Sequence, residues 1–223
     1  MILEIKNLNK KFTRGKNEFL AVNNVNLDID EGDFISIIGP SGSGKSTLLN
    51  LISGALTPTS GDIKFNNQSI IGLEDKELSL IRNNSIGYIL QGQSLLANLT
   101  VLENIKIPFY LTTHKNDVTF EENLLKLMKQ TGIDHLASSY PSDLSGGESK
   151  RVAIARALIN NPKIILADEP TSDLNPDNAK IIMELFQEIS KQGTTIIMVT
   201  HDLGSTNYSN RTYKMENGIL STI

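Results

Sequence analysis

The segment GPSGSGKST, residues 39–47, has the residue types and spacing of a phosphate-binding loop. Gly42 and Gly44 let the backbone curl so that successive amides point at phosphate oxygens. Lys45 supplies a positive charge for the β- and γ-phosphates of a nucleotide, and the Ser46 hydroxyl is placed to bind Mg²⁺. We predict that every residue of the segment helps to bind the nucleotide: Gly39, Pro40, Ser41, Gly42, Ser43, Gly44, Lys45, Ser46 and Thr47.

Two adjacent carboxylates, Asp168 and Glu169, follow the apolar run IILA. Asp168 is suited to hold Mg²⁺, usually through water, and Glu169 to polarise an attacking water as a general base. On its own, such a pair is more often two acidic residues without a catalytic role at the place where a strand ends in a loop. Beside a phosphate loop it becomes a candidate catalytic pair, because ligands of parallel sheets bind at the carboxyl ends of the strands.

A pair of glycines, Gly146 and Gly147, opens a stretch that otherwise has the composition of a helix rich in alanine, arginine and aliphatic residues. Glycine costs a helix interior roughly 1 kcal/mol relative to alanine. Bare backbone amides at a helix start favour an anion. The glycine pair therefore indicates that something needs bare backbone amides at this helix start, and what they face is still open.

The elements that must position these residues alternate along the chain. Residues 45–54 and 176–193 have helical patterns, and Asn175 can cap the second helix with Pro176 at its first position. Short apolar runs typical of strands buried on both faces of a parallel sheet lie at 34–39, 86–90, 163–168 and 194–200. This alternation predicts an α/β layered fold.

Two regions depart from that alternation. Residues 3–12 and 23–30 alternate between apolar and polar side chains, which predicts half-buried strands of a small antiparallel sheet. Residues 95–135 carry two helical patterns and few strand signals. We interpret them as a helical subdomain inserted into the core.

Composition excludes several classes of protein. The 223 residues contain no cysteine, which excludes disulfides and thiolate metal sites. The net charge of −4 gives no general attraction for nucleic acids or anionic lipids. Glu4 and Lys6 stand where a signal peptide needs apolar residues, and no run approaches the ~18 apolar residues of a membrane span. We expect a soluble protein whose role at a membrane comes through a partner.

Taken together, the phosphate loop, LSGGE at 144–148, ILADEP at 165–170 and VTHD at 199–202 resemble the ATP-binding subunits of ABC transporters, over essentially the whole chain. The resemblance implies a P-loop NTPase fold, with a RecA-like parallel-sheet core, an amino-terminal antiparallel β subdomain and an inserted α-helical subdomain. It also implies one ABC ATPase domain, residues 1–223. Within it, 1–91 and 150–223 form the ATP-binding core with the β subdomain, and 92–149 form the helical and signature subdomain.

The same resemblance implies further site residues. Gln91 matches the glutamine that contacts Mg²⁺ and the water; Gln93 is near, but the strand register favours Gln91. His201 matches the histidine that contacts the γ-phosphate and positions Glu169. Phe12 matches the aromatic residue that stacks on adenine, with a packed strand aromatic as the rival interpretation. The signature residues face the γ-phosphate of ATP held by a second subunit: Ser145, Gly146, Gly147 and Glu148.

Four residues need separate comment. Asn175 ends the loop 171–175, where the family usually has aspartate; this loop crosses the dimer interface and communicates between the two ATP sites. Asparagine keeps the size and a hydrogen-bonding oxygen but loses the charge, so weaker communication or slower turnover would follow. Glu148 replaces a frequent glutamine, which is a common variant. His114 and His135 lie outside the motifs and are expected at the surface.

The resemblance implies an ATP-hydrolysing subunit that dimerises around two MgATP and drives an integral membrane permease from the cytoplasmic face of the cell membrane. Within the family the sequence most resembles the macrolide-exporter, lipoprotein-release and peptide-antibiotic-resistance group. Its single phosphate loop and its end at Ile223 favour a stand-alone subunit. The stretch after Gln91 resembles the segment that forms the groove for the partner's coupling helices, and it also suits the core of the helical subdomain.

Two alternatives belong to other classes. The first is an ATP-gated dimerisation switch or scaffold with slow hydrolysis, for which Asn175 is the only support in the sequence. The second is a soluble ABC ATPase that acts on DNA or ribosomes. Such proteins usually carry coiled-coil insertions, zinc motifs or tandem ATPase units, and the sequence has none of these features. We therefore expect no nucleic acid partner.

Overall fold

The computed structural model describes residues 1–92, 94–111 and 118–223. Within these residues the α-helices are α1 Lys45–Ile52, α2 Asp75–Ser85, α3 Val101–Tyr110, α4 Val118–Gln130, α5 Gly146–Leu158 and α6 Pro176–Lys191. The strands are β1 Leu3–Arg14, β2 Asn17–Ile29, β3 Phe34–Ile38, β4 Ser60–Phe65, β5 Gln68–Ser69, β6 Ile86–Ile89, β7 Ile164–Asp168, β8 Thr195–Thr200, β9 Arg211–Glu216 and β10 Ile219–Thr222.

A six-stranded sheet forms the centre of the molecule, in the order β10-β9-β3-β8-β7-β6. The pairs from β9 to β6 are parallel, and only the β9–β10 pair is antiparallel. Every residue of β3, β7 and β8 is buried, which explains why their sequences are continuous apolar runs. The four predicted strands are thus confirmed, and their carboxyl ends meet at one edge of the sheet.

The amino-terminal antiparallel sheet is also confirmed, with the strand order β2-β1-β4-β5. Strands β1 and β2 pair in a register that sets Phe12 opposite Phe19 near the hairpin and Leu3 opposite Ile29 at the other end. Buried side chains of this sheet, such as Ile5 and Val25, share one apolar cluster with Ile37 of the central sheet and with α1. The two sheets are therefore packed on each other through a common core.

The helical part of the chain has a core of its own. Side chains of α3 and α4 pack with Val152 and Ala155 of α5 and with Ile159, which follows it directly. Ile154 of the same helix instead packs with α6 against the central sheet. Helix α5 therefore connects both cores and runs without interruption through residue 150. The division of the chain into 1–91 with 150–223 and 92–149 remains a prediction.

Local sequence explains where the long helices begin. Asn175 caps α6 by accepting a hydrogen bond from the amide of Asn178 at 2.9 Å, with Pro176 at the first helical position, as predicted. Ser145 caps α5 through a capping box with Glu148. Among the described residues, no helix has both the length and the apolar character needed to cross a membrane.

Candidate active site

The phosphate loop lies at the carboxyl end of β3 and leads directly into α1. A β-carbon on Gly39 would lie 2.2 Å from the carbonyl oxygen of Met215, and one on Gly44 would lie 2.0 Å from that of Ala21. Gly44 also has φ +107°, in the left-handed region that favours glycine. The loop is therefore held between the backbones of β2 and β9, and no other residue type fits at either position.

Lys45 lies inside this loop. Only 7% of the residue is exposed, and its ammonium donates to the carbonyl oxygens of Gly39 at 2.7 Å and Pro40 at 3.1 Å. An ammonium has three donors, so one remains for a phosphate oxygen. The positive end of the α1 dipole adds to the same anion site.

Asp168 ends β7 as a buried carboxylate whose Oδ1 has no hydrogen-bond partner within the described residues. Burial raises the pKa of this carboxyl above its usual value, and the neighbouring hydroxyl of Ser46 opposes the shift. A buried, unpaired carboxylate oxygen beside a hydroxyl is a suitable environment for a hard cation. Mg²⁺ is commonly held by one or two carboxylates together with substrate phosphates and water. These residues fit the metal that the sequence predicts.

Glu169 is also buried, and its carboxylate is fixed from several directions. Its Oε2 lies 2.9 Å from Nδ1 of His201 and accepts a hydrogen bond from the Thr200 hydroxyl at 3.3 Å. Its backbone has φ +48° and is anchored by a hydrogen bond from its amide to the carbonyl oxygen of Val199 at 2.9 Å. A glutamate in this left-handed conformation is strained by roughly 1–2 kcal/mol. Such strain is typical of functional sites, where the backbone holds a side chain in a particular direction.

The opposite end of the site is aromatic. The rings of Phe12 and Phe19 face the same side of the hairpin, with their centroids 6.0 Å apart. Both rings are at least partly exposed, whereas a packed core aromatic would be covered. Sequence reasoning missed Phe19. The signal was present in the hairpin around Gly15, because its register sets residue 19 opposite residue 12.

One cavity of about 650 Å³ brings most of the predicted residues together. It extends from the Phe12–Phe19 pair along the phosphate loop to the carboxylates and His201. Its predicted members are Phe12, Ser41, Gly42, Ser43, Gly44, Lys45, Ser46, Thr47, Gln91, Asp168, Glu169 and His201. Gly39 and Pro40 form the start of the loop and bind Lys45 instead. His135 is exposed, as predicted, and Gln93 and His114 lie outside the described residues.

The signature residues do not line this cavity. They form the start of α5, where the hydroxyl and the amide of Ser145 each donate to Glu148 Oε2 at 2.7 Å, and these hydrogen bonds, the hydroxyl's first, lower the pKa of the Glu148 carboxyl. In the described part of the chain, the amides of Gly146 and Gly147 donate to no acceptor. A β-carbon on Gly147 would lie 2.8 Å from the side-chain oxygen of Asn178 on α6, so a larger residue there requires the end of the Asn178 side chain to shift.

Comparison with known proteins agrees with this geometry. The family model described as "ABC transporter" matches residues 22–172. The uncharacterized ABC transporter ATP-binding protein MJ1508 of Methanocaldococcus jannaschii is 39% identical over 218 residues, which cover 97% of this chain and 96% of that protein.

Solved structures show the same fold. The ATP-binding cassette MJ0796, described as a dimer in a post-hydrolysis state bound to ADP and Pi, has 37% identity and a TM-score of 0.90, over 99% of this chain and 98% of that one. CbiO1 from Clostridium perfringens, part of the transporter complex cbiONQ, has 32% identity and a TM-score of 0.88, over 99% and 86% of the two chains. The fold, the nucleotide cavity and these similarities together show that the chain belongs to the ABC transporter family, as one of its ATP-binding cassettes.

Proposed function

We propose that two copies of this chain close head to tail around two molecules of MgATP, and that this closure and the following hydrolysis drive a separate membrane permease. One observation carries the proposal. A single chain brings the phosphate loop, Asp168, Glu169 and His201 into one cavity and leaves the signature glycines outside it. A complete site therefore requires the signature helix of a second copy, and MJ0796, which has the same fold, is described as a dimer.

ATP binds along the cavity in a fixed direction. The adenine stacks on Phe12 beside Phe19, and the phosphates lie against the amides of the loop and the free donor of Lys45. Ser46, Gln91 and Asp168 would hold Mg²⁺, which neutralises charge on the β- and γ-phosphates when bound. In the closed dimer, the partner copy presents the start of its helix α5 to the γ-phosphate.

Hydrolysis requires a water in line with the bond between the γ-phosphorus and the oxygen of ADP. Glu169 accepts a proton from this water as its oxygen bonds to phosphorus and the bond to ADP breaks. His201 acts through two nitrogens. In the doubly protonated ring, the Nδ1–H donates a hydrogen bond to Glu169 Oε2 and the Nε2–H can donate to an oxygen of the γ-phosphate. The exposed position of His201 suits contact with a phosphate that is enclosed only on dimerisation.

The membrane partner is proposed from the segment that follows Gln91. Several of its apolar side chains are exposed: Leu96, Tyr110 and Leu111. Leu111 also lines a surface cavity with Tyr88 and Pro108, and exposed apolar side chains at such a place are suited to contact a partner. We place the chain at the cytoplasmic face of the membrane through this contact, in the macrolide-exporter, lipoprotein-release and peptide-antibiotic-resistance group.

The first test is the variant Glu169→Gln. Loss of the general base should lower ATP turnover by at least about 100-fold, while ATP binding remains. With MgATP the variant should therefore elute from gel filtration as a dimer, because binding is no longer followed by hydrolysis. Lys45→Ala is the matched control, and it should stay monomeric because it loses the phosphate contact. A Glu169→Gln protein that stays monomeric with MgATP would contradict the proposal.

The partner can be tested with the same trapped protein. Tagged Glu169→Gln, added with MgATP to gently solubilised membranes, should recover an integral membrane protein, and the further substitution Leu111→Asp should reduce the yield. Recovery of the soluble dimer alone would instead favour the switch with slow hydrolysis. Asn175, which caps α6 without a charge, is the residue that supports this second candidate.

A further inference from the structure

Lys150 is a buried lysine on the signature helix that has no place in the ATP cavity. Only 8% of the residue is exposed, one turn after the glycine pair. It lines a second cavity, of about 650 Å³, between α5, the segment after Gln91 and the loop 171–175. Gly92 and Asp173 line the same cavity.

The surroundings of Lys150 stabilise its charge poorly. Within residues 1–92, 94–111 and 118–223, its ammonium makes one hydrogen bond, to the carbonyl oxygen of Gly92 at 3.5 Å. That is long for a hydrogen bond. Burial lowers the pKa of the ammonium, and the carboxylates of Asp173 and Asp168 oppose this shift. Because an incompletely paired buried charge destabilises a fold, the lysine is not explained by fold stability.

The neighbours of Lys150 belong to segments that carry the predicted chemistry. Gly92 directly follows Gln91. Asp173 lies in a turn with φ +65°, and the preceding residue, Ser172, donates from its amide and its hydroxyl to the carbonyl oxygen of Glu169 at 3.2 and 2.8 Å. A shift of this turn is therefore transmitted directly to the backbone of Glu169.

We propose that Lys150 is a positioning residue, whose positive charge holds the segment after Gln91 and the turn at Asp173 in register with the signature helix. The inference rests on the proposed function. Beyond that function, we infer that Gln91, Glu169 and the signature glycines of one chain move as a unit. The ammonium donates to the Gly92 carbonyl, and its charge attracts the Asp173 carboxylate, which lines the same cavity.

Three single substitutions separate the possible contributions of this side chain. Lys150→Met removes the charge and the donor but keeps much of the apolar stem. Lys150→Gln keeps a donor for the Gly92 carbonyl and removes the charge. Asp173→Asn removes the opposing charge, and asparagine tolerates the left-handed backbone at this position. The double variant Lys150→Met with Asp173→Asn completes a cycle that isolates their interaction.

Each protein is measured for melting temperature, for ATP affinity by titration, and for kcat and KM of hydrolysis. We expect Lys150→Met to keep or raise the melting temperature, to leave ATP affinity and KM unchanged, and to lower kcat by about tenfold, within the range of couplings between sites. Lys150→Gln should behave like Lys150→Met. Asp173→Asn should lower kcat less, and its effect should largely disappear in the Lys150→Met background.

Other results would overturn the inference. An unchanged kcat in Lys150→Met would do so, as would a fall in kcat together with melting temperature and ATP affinity, which indicates a purely structural role. Wild-type kcat in Lys150→Gln would show that the hydrogen bond suffices without the charge, and additive effects of the two substitutions would remove Asp173 as the partner. If wild-type protein hydrolyses ATP and Glu169→Gln does not, the proposed function stands whichever of these results is obtained.

Discussion

Two helix starts in this molecule carry glycine amides that we predict to bind an anion, and they are built in opposite ways. Helix α1 follows Gly44, which adopts a left-handed conformation without a side-chain cap and is enclosed by the backbones of β2 and β9. Helix α5 follows Ser145, whose capping box with Glu148 is complete within four consecutive residues. Ser43 and Lys45 are buried at the first start, whereas Ser145 and Gly146 are exposed at the second.

The difference shows which helix start can form its part of the site within a single chain. The first depends on contacts between residues distant in the sequence, and Asp168 and Glu169 line the same cavity, so one chain forms that part of the site. The second is stabilised locally; Gly146 is exposed and Gly147 is buried, and neither amide has an acceptor within the described residues. A preformed anion site without a ligand from its own chain is suited to a ligand that a second chain carries.

The substitution Gly147→Ala should produce the largest effect and separate the two starts. Its β-carbon would lie 2.8 Å from the end of the Asn178 side chain, which must shift, and the added methyl group would stand beside the amides that the proposed function assigns to the partner's ATP. We expect ATP turnover and MgATP-dependent dimerisation to be lost, with turnover down at least about 100-fold, as for loss of a donor to transition-state charge. ATP affinity of the single chain, measured with a fluorescent analogue, should be unchanged.

Two controls accompany this measurement. In Gly146→Ala the β-carbon would meet Leu174 at 3.4 Å, an ordinary contact, so this variant should keep the wild-type melting temperature. Lys45→Ala should show the opposite pattern, with ATP affinity of the single chain lost. If Gly147→Ala weakened ATP binding to the single chain, the two starts would not be independent.

Substitutions in the aromatic pair should affect the first region only. Stacking of a base on an aromatic ring contributes about 1–3 kcal/mol. Phe12→Ala should therefore weaken ATP affinity about tenfold or more, and Phe19→Ala should weaken it by a smaller factor. Both effects can be measured by calorimetry, with Phe12→Tyr as a control that keeps the ring. A lower melting temperature with unchanged affinity in Phe12→Ala would support the rival interpretation of a packing residue.

The smallest predicted effect is that of substituting Asn175, which changes the free energy of unfolding near the start of α5. Asn175→Ala removes the side-chain cap of α6, so the free energy of unfolding should fall by about 1 kcal/mol. Asn175→Asp keeps the cap and should leave stability unchanged in a urea titration. A higher turnover of the aspartate variant would show that asparagine slows communication between the two ATP sites, and equal turnover would show that the lost charge is unimportant.

The sequence was sufficient to predict the helices and strands that are marked by a pattern in consecutive residues. Continuous apolar runs identified the buried parallel strands, and Asn175 followed by Pro176 identified the start of α6. Helix α2 was missed because none of its residues is buried, which leaves little apolar periodicity. The β9–β10 hairpin was also missed, although Asn217 and Gly218, both with positive φ, form a dipeptide typical of such turns.

Within the site, too, residues with a local sequence signal could be predicted and residues that depend on long-range packing could not. Motifs identified the residues of the phosphate loop and the two carboxylates, which occupy one cavity, while their roles remain predictions. The contribution of Phe19 depends on hairpin register, and that of Lys150 on the approach of two loops to α5. The contact between Gly147 and Asn178 depends on the packing of two helices. Such proximities arise only when the whole chain is folded.

The position of the cavity between the two sheets has a consequence for motion. Phe12 and Phe19 belong to the antiparallel sheet, whereas the phosphate loop continues the central sheet. A nucleotide that contacts both joins them, so amide hydrogen exchange in the β1–β2 hairpin should slow when ATP binds. Tripolyphosphate, which lacks the base, should protect the loop but not the hairpin. Nucleotide binding would then make the two sheets one cooperative unit before any second copy arrives.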